Sequence, residues 1–146
     1  MSATAHTTPV KRIHIAAAIL MAPDNRILLV RKAGTSAFMQ AGGKIENGES
    51  PVAALQRELH EELGLTIAED QAHYVGAFSA PAANEPGFTV EAEIFRIALN
   101  QPVAKAAEIE EIVWVDPLQK VDLPLAPLTE NYLLPLCKEF MPVTKQ

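Results

Sequence analysis

Between Gly43 and Leu65 the chain reads GKIENGESPVAALQRELHEELGL, and both ends of this stretch are punctuated for one short helix. Ser50 suits the N-cap, Pro51 the first helical position, where its missing N–H costs nothing, and Gly64 supplies the permissive backbone that ends a helix. A helix from about Pro51 to Leu63 is predicted. Wound at about 100° per residue, Val52, Leu55, Leu59 and Leu63 form one apolar stripe that must face a core. Glu58, Glu61 and Glu62 gather on an adjacent face at spacings where like charges cost about 0.2–0.5 kcal/mol per pair. Glu61 and Glu62 also occupy the last turn, where the helix dipole disfavours anions by about 0.3–1 kcal/mol. A helix shaped by stability alone avoids this arrangement. The conflict is relieved if a hard divalent cation, which prefers oxygen ligands shared between carboxylates, water and phosphates, sits over the three side chains.

Three glutamates by themselves also fit an ordinary solvated acidic face. The spacing around them is more specific: Gly43, five residues, Glu49, seven residues, then Arg57-Glu58-Leu59-His60-Glu61-Glu62-Leu63-Gly64-Leu65. This window resembles the Nudix box at every defining position. The resemblance implies an α/β fold, the Nudix-type α/β/α sandwich with a mixed β-sheet between helices. It also implies hydrolysis of a diphosphate linked to another moiety, usually a nucleoside, with Mg²⁺ as the expected ion and Mn²⁺ as the alternative. By the same resemblance Glu58, Glu61 and Glu62 hold the metal together with the backbone carbonyl of Gly42. Arg57, Glu58 and Glu61 then make up the catalytic set, supported by Gly43 and Glu49. Arg57 is expected to pair with Glu49 and hold that loop against the helix, a role that suits its rigid fork of donors.

Such a layout answers a charge problem. The oxygens of a pyrophosphate repel an incoming nucleophile, and divalent cations neutralise both that repulsion and the charge developing on the leaving group. A carboxylate beside the attacking water is then a candidate general base. Glu58 and Glu61 qualify within the box. Glu108, Glu110 and Glu111, just before Trp114, are late-loop candidates for base or ligand, although a solvated acidic loop is the favoured reading of the three.

Several classes are disfavoured by composition. At 146 residues the chain fits one domain, expected over residues 10–146 behind a flexible N-terminal tail at 1–9. It has no apolar run near the ~20 residues that span a bilayer, and its N-terminus lacks the pattern of a secretory signal. The lone Cys137 forms no internal disulfide and reads as a small buried hydrophobe, so a cytoplasmic location is expected. A net charge of −6 argues against a nucleic-acid polymer as partner. It leaves room for a small-molecule nucleotide, because bound cations reverse the local field. A homodimer is common in the family that the chain resembles.

In chain order, Val10 to Met21 predicts a strand covered on both faces, and Ala22-Pro23-Asp24-Asn25 a turn into a returning strand, Ile27 to Arg31, that completes a hairpin. His14 inside the first strand reads as a packed or edge histidine rather than a ligand. Gly42 and Gly43 suggest either a tight turn or a close approach of backbone to a metal or phosphate. Lys44 to Glu46 reads as a short extended segment and Asn47-Gly48 as a turn. After the helix, strands are expected over His73–Ser79, Phe88–Leu99 and up to Val115, with loops at 80–87 and 100–107. Leu128 to Phe140 predicts a C-terminal helix that Pro135 kinks or restarts.

Specificity should lie outside the box. Phe38, Met39 and Gln40 before it, and Asn84 to Phe88 in the proline-containing loop, are the candidate substrate contacts; the rings of Phe38 and Phe88 could stack on a base, although core or loop packing is the favoured reading of each. The small size of the chain favours a (deoxy)nucleoside triphosphate cleaved to monophosphate and pyrophosphate. A nucleotide-sugar or dinucleotide pyrophosphatase is the alternative, and a nucleotide-binding module without catalysis is a third reading, disfavoured by the intact glutamates.

Overall fold

The apolar run after residue 10 becomes the central strand of the molecule. A computed structural model describes residues 11–106 and 108–140. The tail expected at 1–9, position 107 of the second loop and the end of the expected domain at 141–146 lie outside the described residues. The elements are β1 (Lys11–Met21), β2 (Ile27–Lys32), β3 (Ala41–Lys44), α1 (Pro51–Leu63), a 3₁₀ turn (Glu69–Gln71), β4 (His73–Pro81), β5 (Phe88–Ala98), β6 (Ile109–Val115), a π-helical segment (Thr129–Leu133) and α2 (Leu134–Phe140). Among them no helix is long and apolar enough to cross a membrane.

The strands form one mixed six-stranded sheet in the order β4-β5-β1-β2-β6, with β3 also paired to β1. β1 runs parallel to β5 over its whole length. Strand alternation divides the core in two. Ala16, Ala18 and Leu20 of β1 pack with Leu28 and Val30 of β2 beneath Leu55, Leu59 and Leu63 of α1. On the other face Ala17, Ile19, Ile27 and Leu29 meet Leu128, Leu133, Leu134 and Cys137 of the C-terminal helical region. Each fully buried leucine contributes about 1.5–3 kcal/mol. The result is the α/β/α sandwich expected.

The ends of α1 fall where the sequence puts them. Ser50 Oγ accepts from the Ala53 amide, and Gly64 closes the helix at φ 69°, its N–H turned back to His60 O. Val52 is only partly buried, and Ala54 fills the stripe beside Leu55.

Three expectations change. The turn at residues 22–25 forms, but the hairpin hardly does: β1 and β2 pair only at Met21↔Ile27. β2 takes β6 as its main partner, and the vacated side of β1 is filled by β3. Gly42 and Gly43 therefore lie in a strand opposite Ala17 and Ala16 rather than in a tight turn, and the strand ends at Lys44, beyond which the Ile45 amide still donates to the His14 carbonyl. The C-terminal helix holds a π-helical turn at Thr129–Leu133 directly before Pro135, where a proline ring and its missing N–H disturb the normal ladder.

Candidate active site

Because β3 ends at Lys44 and leads directly into the loop that enters α1, one guanidinium on the helix reaches both ends of that connection. Arg57 donates from Nε and Nη2 to the two oxygens of Glu49 at 2.8 and 2.9 Å, and from Nη2 to the Lys44 carbonyl at 3.0 Å. Its Nη1 donates to Glu58 Oε2 at 2.9 Å and lies 3.7 Å from Glu61 Oε1. The Glu46 amide adds a further bond to Glu49 Oε1. Hydrogen bonding to Arg57, then to this amide, pulls the Glu49 carboxyl down to about 2. Arg57 is correspondingly raised, first by Glu49. A two-point carboxylate bond of this kind fixes direction as well as charge, so Glu58 is held at the sheet-facing side of the helix.

Glu62 is the unusual member. It is 6% exposed, between the Gly42 amide, which donates to Oε1 at 3.3 Å, and Lys32 Nζ, 3.7 Å from Oε2. Burial first, and the neighbouring Glu58, raise its carboxyl to about 7 against the pull of Lys32 and the amide. Below about pH 4.5 both folded and unfolded chains carry this proton. Between 4.5 and about 7 the unfolded chain loses it while the folded chain keeps it, so stability falls as pH rises through that window and levels off above it. In chelator, the melting temperature is expected to drop by roughly 5 °C between pH 5 and pH 7.5, measured by thermal denaturation. Glu62→Gln should flatten that slope, and an unchanged slope would show Glu62 ionised throughout.

Glu58, Glu61 and Glu62 share an open cleft of about 330 Å³ with Lys32, Gly43, Lys44, Glu46 and Glu108. Gly43 lies so close to Glu58 that a Cβ there would come within 2.6 Å of the carboxylate oxygens, so the backbone approach expected of the glycine pair is to a carboxylate. Gly42 contributes its amide to Glu62 and does not line the cleft. Among the described residues no three acidic or histidine side chains converge at metal-ligand distances, because Arg57 holds Glu58 and Lys32 sits against Glu62. The donor set is nonetheless suited to a hard cation: three carboxylates from one helix, with those of Glu46 and Glu108 also lining the cleft, all oxygen.

The other candidates separate. Glu108 reaches the cleft. Glu111 points away and bonds Arg31 at 2.7 Å, and Glu110 is exposed. Phe38 is 6% exposed and belongs to the core on the α2 face, where it cannot stack on a base. Phe88 is half-buried at the start of β5 beneath Lys11 Nζ, outside the cleft. Gln40 is buried beside a second, mainly apolar pocket lined by Ile15, Ala17, Met39, Val90, Leu128 and Thr129. Thr129 Oγ1 donates to its Oε1 at 2.7 Å, and its Nε2 is the buried side-chain polar atom left without a partner among the described residues. His14 is an edge histidine, 2.9 Å from Glu93. Sequence reasoning missed Lys32 and Thr129. For Lys32 a signal existed: it lies two and four residues beyond Val30 and Leu28, on their face of β2.

Comparison with known proteins adds to this geometry. A family model described as NUDIX domain matches residues 11–136. The CTP pyrophosphohydrolase of Escherichia coli (strain K12) is 32% identical over 136 residues, covering 90% of this chain and 93% of that protein. The 8-oxo-dGTP diphosphatase of the same strain is 40% identical over 60 residues, 38% of this chain and 46% of the relative. The solution structure of the E. coli ORF135 protein superposes with a TM-score of 0.65 at 30% identity, covering 90% of both chains.

Proposed function

This chain belongs to the Nudix family of hydrolases acting on phosphoric anhydrides, and on that premise we propose that it is a Mg²⁺-dependent nucleoside-triphosphate pyrophosphohydrolase of the cytosol, working as one domain and releasing a monophosphate and pyrophosphate. The observation that carries this reading is the cleft that gathers three carboxylates from α1, those of Glu46 and Glu108, and the ammonium of Lys32. Similarity to a CTP pyrophosphohydrolase along nearly the whole chain supports a triphosphate over a longer dinucleotide. Divalent ions are general in the family; Mg²⁺ would be held here by Glu58, Glu61 and Glu62, with the Gly42 carbonyl as a further ligand, and Mn²⁺ is the alternative ion. Bound there, the ion would neutralise the phosphate oxygens and the charge on the departing pyrophosphate.

The remaining work falls to the chain itself. Arg57 orients Glu58 and ties the Glu46–Glu49 loop to the helix. Lys32, displaced from Glu62, meets phosphate oxygens as a point charge. Glu108, which lines the cleft from the segment leading into β6, takes the proton of the attacking water. The free Nε2 of Gln40, buried at a cost of about 1–3 kcal/mol while unpartnered, donates to an acceptor on the base.

A panel of nucleoside triphosphates, nucleotide sugars and dinucleotides with Mg²⁺, resolved by product, tests this. Cleavage within the diphosphate, with triphosphates preferred, is expected for the wild type, and Gln40→Leu should blur the ranking of bases more than it lowers the total rate. Orthophosphate as the primary product, or a nucleotide sugar as the best substrate, would overturn the assignment.

A further inference from the structure

The three glutamates at the entrance to β6 part company at one irregularity in the sheet. Arg31 pairs with Glu111 across the β2–β6 ladder, yet the next pair is Lys32 with Ile109, so Glu110 is an extra residue with no partner in β2. Ile112 and Trp114 of β6 face α1. Strict alternation from them would carry Glu110 onto that face, directly opposite Lys32, and would turn Ile109 away from the core. The bulge reverses this outcome. Ile109 is buried beneath α1, Glu110 turns to solvent, and Glu108 arrives in the cleft beside Lys32.

Arg31 spans the bulge. Its Nε donates to Glu111 Oε1 and its Nη1 to the Thr35 carbonyl, both at 2.7 Å. Within the loop so held, the Ala33 amide donates to the Glu108 carbonyl at 2.7 Å. On the strand itself Lys105 Nζ donates to the carbonyl of the extra residue, Glu110, at 2.9 Å. Just upstream, the Ala104 and Ala106 amides bond Leu63 O and Glu62 O, two carbonyls that the end of α1 leaves unpaired. The backbone that carries Glu108 is thus tied at once to the metal-type helix and to the loop after β2. Arg31 is not among the side chains lining the cleft, since the alternation that aims Lys32 at α1 aims Arg31 the other way.

We infer that Arg31 is a positioning residue for the reaction: by joining Glu111 to the Thr35 carbonyl across the Glu110 bulge, it fixes Glu108 and Lys32 in the cleft. The inference rests on the proposed hydrolysis for its kinetic readout, but not for its structural one. Arg31→Met should lower kcat by roughly 10- to 100-fold, with a smaller change in KM, as expected when a reacting group is displaced without losing the substrate. Arg31→Lys, which keeps the charge toward Glu111, should recover part of the loss. In a Glu108→Gln background Arg31→Met should cost less, because one of the two groups it positions is already disabled. An equal cost in both backgrounds, or an unchanged kcat, overturns the inference.

Amide exchange supplies a test that needs no turnover. Ala33 and Ala106 amides should exchange at least about tenfold faster in Arg31→Met, while amides inside α1 such as Leu59 keep their wild-type rates. Unchanged Ala33 exchange, or acceleration spread evenly over the chain, counts against positioning. If the wild type cleaves no nucleotide, the proposed function fails by itself, and the exchange rates still decide what Arg31 does.

Discussion

Glu61→Gln is expected to lower turnover of the preferred nucleotide by roughly 10³-fold, about 4 kcal/mol of transition-state stabilisation, while the melting temperature moves by no more than a few degrees. The two halves of this expectation have separate grounds. Structurally Glu61 gives little: its side chain is 54% exposed and its ion pair with Arg57 is 3.7 Å long, the kind of contact that contributes about 0–1 kcal/mol. Removing its charge also relieves repulsion with Glu58, three residues back on the same side of the helix. Chemically it is one of three carboxylates of α1 that line the cleft, where the proposed nucleotide and its cation would meet it. Glutamine keeps the shape and loses the charge, so a drop in kcat with an intact fold isolates the electrostatic role. Product formation against Mg²⁺ concentration, paired with a melting curve, makes the measurement. Full activity in a folded variant would take Glu61 out of the site.

The helix was readable in advance because its instructions are local. Ser50, Pro51 and Gly64 each act on the turn they occupy, and the apolar stripe has the helix period, so Pro51–Leu63 needed no knowledge of the rest of the chain. What pairs with what depends on residues far apart. The parallel β1–β5 ladder joins segments more than sixty residues apart, and it is β6, not β1, that claims β2 after the turn at Asn25. Gly42 and Gly43 look like a turn because glycine is rare inside strands. Their strand is possible only because Ala16 and Ala17 let it approach. The site divides in the same way. The clustering of the α1 glutamates follows from spacing and the pairing of Arg57 with Glu49 from the resemblance to the Nudix box, whereas the arrival of Glu108 in the cleft, rather than Glu110 or Glu111, depends on a single extra residue in β6, which no periodicity reveals. Phe38 was misleading for a related reason: an aromatic just before a functional loop serves a core or a ligand equally well, and the core beneath α2 claims it.

The two adjacent glycines should fail in opposite ways when each is replaced by alanine. A Cβ on Gly42 would overlap the Ala16 carbonyl oxygen and come within 2.6 Å of Ala17 Cα, at a φ of +150° that side chains rarely adopt. Both obstacles are backbone of β1, which is held along its full length by β5 and cannot retreat. Gly42→Ala should therefore cost roughly 3 kcal/mol or more and lower the melting temperature by about 6–12 °C. The nearest atoms that a Cβ on Gly43 meets are those of the Glu58 carboxylate, the end of a side chain that can rotate away. The fold then loses little, but Glu58 leaves its 2.9 Å bond to Arg57 and its place over the cleft. Gly43→Ala should melt within a few degrees of wild type and turn over about 10²-fold more slowly. Melting curves and kcat on both variants give the comparison. Equal losses of stability would refute the contrast between rigid strand and movable side chain, and a fully active Gly43→Ala would show that the position of Glu58 does not depend on the bare backbone beneath it.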